Sequence, residues 1–354
     1  MIKVSAIVSL YNSREYVDSC LQDLVEQSLF KRGQLEIVVI DSNSPQDERY
    51  IVEQYQARHP NIVYHRTEQR ETLYQAWNRG IQIARGEFLT NANADDRHHP
   101  EGIEVMYRAL VANPAIDLVY GDVYESSVPN ERFFDNPRTR RYSYPTFFAP
   151  TALLFYQFGC QPMWRRRVHD VIGGFSSTLK AAGDWEFSFR FARAGLRALH
   201  LPMVLGSFLQ RSDSISSGSN TSHQEQTELY ESASEADILA LYAVEGYAID
   251  TPQQQARVFT DFAQRASAML LPWQPEGAWI EPRSAVMACL AAYSAAKGDP
   301  RAAWNLGITL LRTSQRTQAI PYLQQGSTAS DPIVVQTLAA FSRGEEIPLR
   351  LVDI

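Results

Sequence analysis

The chain has 354 residues, 45% hydrophobic and 21% charged, an ordinary globular make-up with room for two domains. Its 33 basic against 40 acidic residues leave a formal charge of −7, which argues against wrapping duplex nucleic acid, and no run of ~18 or more uncharged apolar residues offers a membrane span. The three cysteines, Cys20, Cys160 and Cys289, lie too far apart for a disulfide framework or a zinc ribbon.

In chain order, Val4 to Leu10 is a β-branched apolar run suited to a strand covered on both faces. Glu15 to Leu29 follows with apolar residues at helical spacing, and Asn12 or Ser13 is placed to cap it. Leu35 to Ile40 reads as a second strand, Pro45 to Arg58 as a second helix and Asn61 to His65 as a third strand. A third helix, Thr72 to Ala84, is expected to end on Gly86 in a left-handed cap, and Glu87 to Thr90 begins a fourth strand. The opening Met-Ile-Lys-Val-Ser-Ala runs straight into the first strand with no signal-like core, so a cytoplasmic, reducing setting is expected.

Strands alternating with helices in this way predict an α/β fold with a mostly parallel sheet built by right-handed crossovers. Ligands then sit at the carboxyl ends of the strands. Here those ends are Ser9 to Asn12, Asp41 to Asn43, Arg66 to Arg70 and Asn93 to Asp96, a polar set with carboxylates at two points.

Beyond residue 220 the pattern changes. Ser212 to Ser222 is rich in Ser, Gly and Asn, as a loop or linker is. Helical patterns follow at Glu235 to Gly246, Pro252 to Leu271, Arg283 to Lys297, Arg301 to Arg312 and Gln318 to Gln325. The last two fit one tetratricopeptide unit through Ala303, Leu306, Gly307, Leu310, Ala319, Leu323 and Gly326; a plain helical bundle is the alternative. The expected domains are therefore residues 1–222 and an all-α region, 223–354, that offers surface for protein contacts. From Glu225 onward there are 9 basic and 15 acidic residues, so the acidity belongs to the helical region and the first domain is nearly neutral.

The first strand leads into Tyr-Asn-Ser-Arg and not into a Gly-x-Gly-x-x-Gly turn, and no Gly-x-x-x-x-Gly-Lys-Ser/Thr loop occurs. Any phosphate must then be held by arginines or a metal. Asn93 and Asp95, two residues apart on an extended strand end, are placed to face one hard cation, with Asp96 beside them. A helix-capping Asp turn is the competing reading. His98 and His99, next to this motif, could serve as further ligands, but surface histidines at a helix start are the commoner reading.

The chain resembles the family 2 glycosyltransferases. The resemblance lies in Val8-Ser9-Leu10-Tyr11-Asn12, Val39-Ile40-Asp41-Ser42-Asn43-Ser44, Ala76-Trp77-Asn78-Arg79-Gly80-Ile81, and Gly86-Glu87-Phe88-Leu89 leading to Asn93-Ala94-Asp95-Asp96. It extends to Gln161-Pro162-Met163-Trp164-Arg165-Arg166, Ile172-Gly173-Gly174-Phe175 and Ala182-Gly183-Asp184-Trp185-Glu186-Phe187, and so covers residues 1 to about 220.

The resemblance implies a GT-A type fold and inverting transfer of a sugar from a nucleotide-diphosphate donor, with a UDP-sugar favoured. The acceptor would be a saccharide or lipid-linked saccharide, in cell-surface polysaccharide synthesis. Peripheral contact with the inner face of a membrane is compatible with it. Ser9, Tyr11, Asn12, Asp41, Arg70 and Asn78 would bind the donor, with Tyr11 against the base and Asp41 accepting its ring N–H. Asn93, Asp95 and Asp96 would hold Mn2+ or Mg2+, and Asp184 would be the catalytic base. Gln161, Trp164, Trp185 and Glu186 would meet the acceptor. Asn93 stands where many relatives carry Asp, which favours the alternative of a catalytically weak binding module.

Overall fold

A computed structural model of the protein describes residues 1–211, 220–269, 283–312, 315–343 and 350–354. The chain divides into two compact units, Met1–Phe147 with Tyr156–Gln226, and Phe148–Phe155 with Thr227–Ile354.

The first unit opens with β1 (Val4–Leu10), α1 (Arg14–Glu26), α2 (Ser28–Lys31), β2 (Leu35–Asp41), α3 (Glu48–Gln56), β3 (Ile62–Arg66), α4 (Leu73–Ile83) and β4 (Phe88–Asn91). It continues with β5 (Arg97–His98), α5 (Gly102–Ala112), β6 (Leu118–Ser126), β7 (Arg141–Tyr142), β8 (Met163–Arg165), α6 (Val168–Ile172), α7 (Gly183–Arg193) and β9 (Ala198–Leu209). One sheet runs β3-β2-β1-β4-β8-β6-β9-β5, with β7 paired to β6. β1 to β4 are parallel to one another, as the alternating pattern implies, while β8 runs antiparallel to both β4 and β6.

Period two along β1 feeds two cores. Val4, Ala6, Val8 and Leu10 pack with residues of α1, α3 and α5, while Ile7 on the other face joins Tyr74, Trp77 and Ile81 of α4. α4 sits so close that a Cβ on Gly80 would lie 2.5 Å from Ile7 Cγ2.

Several boundaries differ from the expectation. The helix expected over Glu15–Leu29 breaks at Gln27, whose buried carboxamide donates to the His99 carbonyl at 2.9 Å. The second helix starts only at Glu48, because Asp47 takes the left-handed conformation at φ 59°. Gly86 is not a left-handed cap. It is glycine because a Cβ there would lie 2.7 Å from the Ser5 backbone N, and its own N–H donates to Ser5 Oγ at 2.8 Å. His98 is not on the surface: it is buried in β5, paired with β9, and burial lowers its pKa to about 4.

Of the Ser212–Ser222 stretch, 212–219 lie outside the described residues and Asn220 opens α8 (Asn220–Glu231), which runs across the division between the units. The helical unit continues with α9 (Glu235–Val244), α10 (Pro252–Met269), α11 (Arg283–Ala295), α12 (Pro300–Arg312), α13 (Arg316–Gly326) and α14 (Pro332–Ser342). The two glycines of the repeat pattern lie where α12 meets α13: a Cβ on Gly307 would be 2.7 Å from Leu323, and one on Gly326 would be 2.5 Å from Trp304 Cα. Phe148–Phe155 joins this unit because the Phe148 ring packs edge-on to Tyr242 at 5.4 Å and under Arg265 at 4.4 Å.

Candidate active site

The carboxyl ends of β1, β2 and β4 and the start of α7 line one cleft of about 840 Å³. That volume suits a ligand of several hundred daltons. Ser9, Tyr11 and Asn12 enter it from β1 and the loop beyond, and Ser42 from the end of β2. Two loops are tied together beneath it. The Asn12 N–H donates to Ser44 Oγ at 3.0 Å, and the Ser44 hydroxyl donates to buried Glu48 Oε1 at 2.7 Å. The same oxygen accepts the Ser13 N–H at 2.6 Å. Asn12 itself is left-handed at φ 53°, a conformation that asparagine tolerates better than most residues.

Asp41 departs from its expected place. It is fully buried, and its carboxylate accepts from the Ser44 N–H at 2.7 Å, the Tyr64 hydroxyl at 2.6 Å and Arg66 Nη1 at 2.5 Å. Asp41 is not part of the cleft lining, while Ser42, the next residue, is. Asn78 is also withdrawn. Its amide bonds both main-chain atoms of Phe175, each at 2.8 Å, as a strut between α4 and the chain ahead of α7.

Arg70 does line the cleft, with its guanidinium 3.9 Å from the centre of the Tyr11 ring. A cation over an aromatic face at this range is an attractive contact. One face of Tyr11 is therefore already covered.

Asn93 and Asp95 line the cleft and Asp96 does not. Asp96 is buried, accepts the Asn93 side-chain N–H at 2.9 Å, and is pushed above the usual carboxylate range by burial and by the nearby Asp95. Arg211 Nη2 lies 3.4 Å from Asp95 Oδ2. Among the described residues no cluster of three or more His, Cys, Asp or Glu side chains forms a closed metal cage. The donors facing the cleft, one carboxylate and one amide oxygen, still fit a hard cation. Mg2+ and similar ions are commonly held by one or two carboxylates, with substrate phosphates and water completing the shell.

Asp184 is the second residue of α7 and lines the same cleft. Its Oδ1 accepts the Trp185 N–H at 2.8 Å and the Tyr74 hydroxyl lies 3.3 Å away. Burial raises its pKa to about 6, against the lowering effect of those two donors. The approach needs a glycine: a Cβ on Gly183 would lie 2.6 Å from the Tyr74 ring.

Gln161, Trp164, Trp185 and Glu186, expected to meet the acceptor, are not part of this cleft lining. Trp164 is core: it is buried, donates to His169 Nε2 at 2.8 Å and packs edge-on to Phe175. Gln161 is buried with its amide on the Arg97 carbonyl at 3.0 Å, and Glu186 is paired with Arg190 four residues on at 2.6 Å. Trp185 supplies its main-chain N–H to Asp184, and its ring is not part of the lining.

The lining also includes Tyr144, Tyr156, Gly159, Cys160, Trp77 and Lys180. Tyr144 is set by its N–H on buried Asp122 at 3.0 Å, and Gly159, left-handed at φ 68°, lets the Tyr144 ring approach. For Tyr156, Gly159 and Cys160 the signal in the sequence is a glycine within the apolar, aromatic stretch Phe147 to Cys160.

The model of the family described as "Glycosyl transferase family 2" matches residues 5–182. Glycosyltransferase AglE of Haloferax volcanii is 26% identical over 210 residues, 57% of this chain and 66% of AglE, so the match spans slightly less than two thirds of that relative. A PGL/p-HBAD biosynthesis glycosyltransferase of Mycobacterium bovis is 25% identical over 58% of this chain and 75% of its own. Among solved structures, S. aureus TarS 1–349 in complex with UDP-GlcNAc has the same fold, with a TM-score of 0.56 at 18% identity over 99% of this chain and 95% of that one.

Proposed function

The chain belongs to glycosyl transferase family 2, and from that premise we propose that residues 1–222 transfer a sugar from a nucleotide-diphosphate donor to an acceptor hydroxyl with inversion. The observation that carries this reading is the meeting of Asp95, Tyr11 and Asp184 in one cleft, although β1, β4 and α7 are far apart in the chain.

In this reading the nucleotide lies along Ser9, Tyr11, Asn12 and Ser42. Arg70 either moves off the Tyr11 ring or closes over the base. Arg211 offers positive charge to the diphosphate. A Mg2+ or Mn2+ ion held by Asp95 and the amide oxygen of Asn93 would offset charge gathering on the leaving group. Asp184 takes the proton of the attacking hydroxyl, and a positioned base of this kind is worth ~10²–10⁴-fold. Its pKa of about 6 suits the task, since it is ionised at neutral pH yet more basic than an exposed carboxylate. The rings of Tyr144 and Tyr156 suit a saccharide acceptor, free or lipid-linked, and assembly of a surface polysaccharide is the setting we favour.

A UDP-sugar is the favoured donor; the TarS structure of this fold holds UDP-GlcNAc. No helix among the described residues is long and apolar enough to cross a membrane. The helical unit exposes Ile320 and Val335, and we read it as a surface for protein contacts.

The test is a panel of UDP-, GDP- and dTDP-sugars scored by thermal stabilisation, then transfer from the best of them with Mn2+ present. Stabilisation by one nucleotide class, followed by transfer with inverted anomeric configuration, is expected. No stabilisation by any of them, or retained configuration, contradicts the reading.

A further inference from the structure

The stretch Ala181-Ala182-Gly183 that leads into Asp184 has no side chain able to anchor it. α7 also starts without a side-chain cap, since Ala182 occupies the N-cap position. The first N–H groups of a helix have no partner within it, so this main chain must be held from outside.

One carboxylate does so. Glu225, on the part of α8 that belongs to the first unit, accepts the Ala181 N–H at 2.8 Å and the Ala182 N–H at 3.0 Å through Oε2. The Lys180 N–H reaches Oε1 at 2.9 Å and Oε2 at 3.1 Å. Charge-assisted bonds to three successive amides are among the stronger polar contacts a side chain can make. Lys180, Ala181 and Asp184 line the cleft, whereas Glu225 stays behind it.

We propose that Glu225 is a positioning residue for glycosyl transfer, whose carboxylate clamps Lys180–Ala182 and so fixes Asp184 at the cleft wall. The proposal rests on reading Asp184 as the base. Tyr74 and Trp185 orient the Asp184 carboxyl; Glu225 sets where the main chain carrying it stands. A displacement of ~1 Å in a reacting group costs about 10²-fold in rate, so the clamp acts on turnover more than on donor affinity.

The test uses the full chain with Glu225→Ala and Glu225→Gln, measuring nucleotide release from the stabilising UDP-sugar, UDP affinity, and amide hydrogen exchange at Lys180–Ala182. Glu225→Ala is expected to lower kcat at least tenfold, leave UDP affinity within twofold and speed exchange at those amides at least tenfold. Glu225→Gln, which keeps an acceptor oxygen, should fall between it and the wild type. Should Glu225→Ala not fold, the glutamine variant decides alone. A folded Glu225→Gln or Glu225→Ala with unaltered kcat and unaltered exchange overturns the proposal, as does a loss confined to UDP affinity. Asp184→Asn is run alongside. If it retains transfer, the base reading fails, while accelerated exchange at Lys180–Ala182 still reports the clamp.

Discussion

The Tyr74 hydroxyl lies 3.3 Å from Asp184 Oδ1, although 110 residues separate the two in the chain. Burial drives Asp184 toward its neutral form, and the phenol pulls the other way by hydrogen-bonding the ionised one. The phenol's own pKa is raised, chiefly by burial, so it stays protonated and can donate. The basicity of Asp184 is a balance between these two effects.

Tyr74→Phe tests that balance. Losing a hydrogen bond to a charged group is worth ~1.5–3 kcal/mol at most, and the long 3.3 Å contact places this one at or below the low end. The acid limb of the rate profile should move up from about pH 6 by roughly one unit. Donor affinity should not change. An unmoved limb in the folded variant contradicts the coupling.

Asp184 should also cost stability. Its folded pKa of about 6 stands above the ordinary 3.8, so the folded state holds the proton more tightly. Stability from this group is full below about pH 4 and is lost as pH rises through 6. Asp184→Asn should therefore be the more stable protein above pH 7, by about 2–3 kcal/mol. The advantage should shrink to nothing near pH 4. Melting curves across that range check the sign, and a variant less stable at pH 7 contradicts it.

Gly183→Ala is expected to cost activity without touching a charge. Its Cβ would stand 2.6 Å from the Tyr74 ring, so either the ring or the start of α7 must shift. Turnover should fall at least tenfold and UDP affinity should hold. Wild-type turnover would show that the approach of Tyr74 to α7 is not needed.

Much of this arrangement is legible in the sequence. β1 to β3 announce themselves by β-branched residues, and the strand-end rule points to Tyr11, Asp95 and Arg70, all of which line the cleft. Where an expected residue lies off the cleft lining, its side chain's partner is far off in sequence. Asp41 is consumed by Tyr64 and Arg66, and Asn78 by the main chain of Phe175. Trp164 shows the ordinary ambiguity of a tryptophan, which serves equally as core or as sugar platform, and here it is core. Glu225 carries no local signal, because its role is set entirely by the main chain of Lys180–Ala182 some 45 residues earlier.

Asp95→Ala addresses the cation. With one carboxylate and an amide oxygen as donors, metal affinity should depend on the diphosphate being present. Calorimetry of UDP binding with and without Mn2+ should show tighter binding with the ion in the wild type and no such difference in the variant. Equal Mn2+ enhancement in both would move the ion elsewhere.

The most direct measurement compares Asp184→Asn with the wild type in two assays: UDP affinity, and sugar transfer from the stabilising donor between pH 5 and 8. The amide keeps the size of the side chain and cannot take a proton. UDP affinity is expected to stay within about twofold, while transfer falls ~10²–10⁴-fold and the wild-type acid limb near pH 6 disappears. Transfer at the wild-type rate with that limb intact would contradict the assignment of Asp184 as the base.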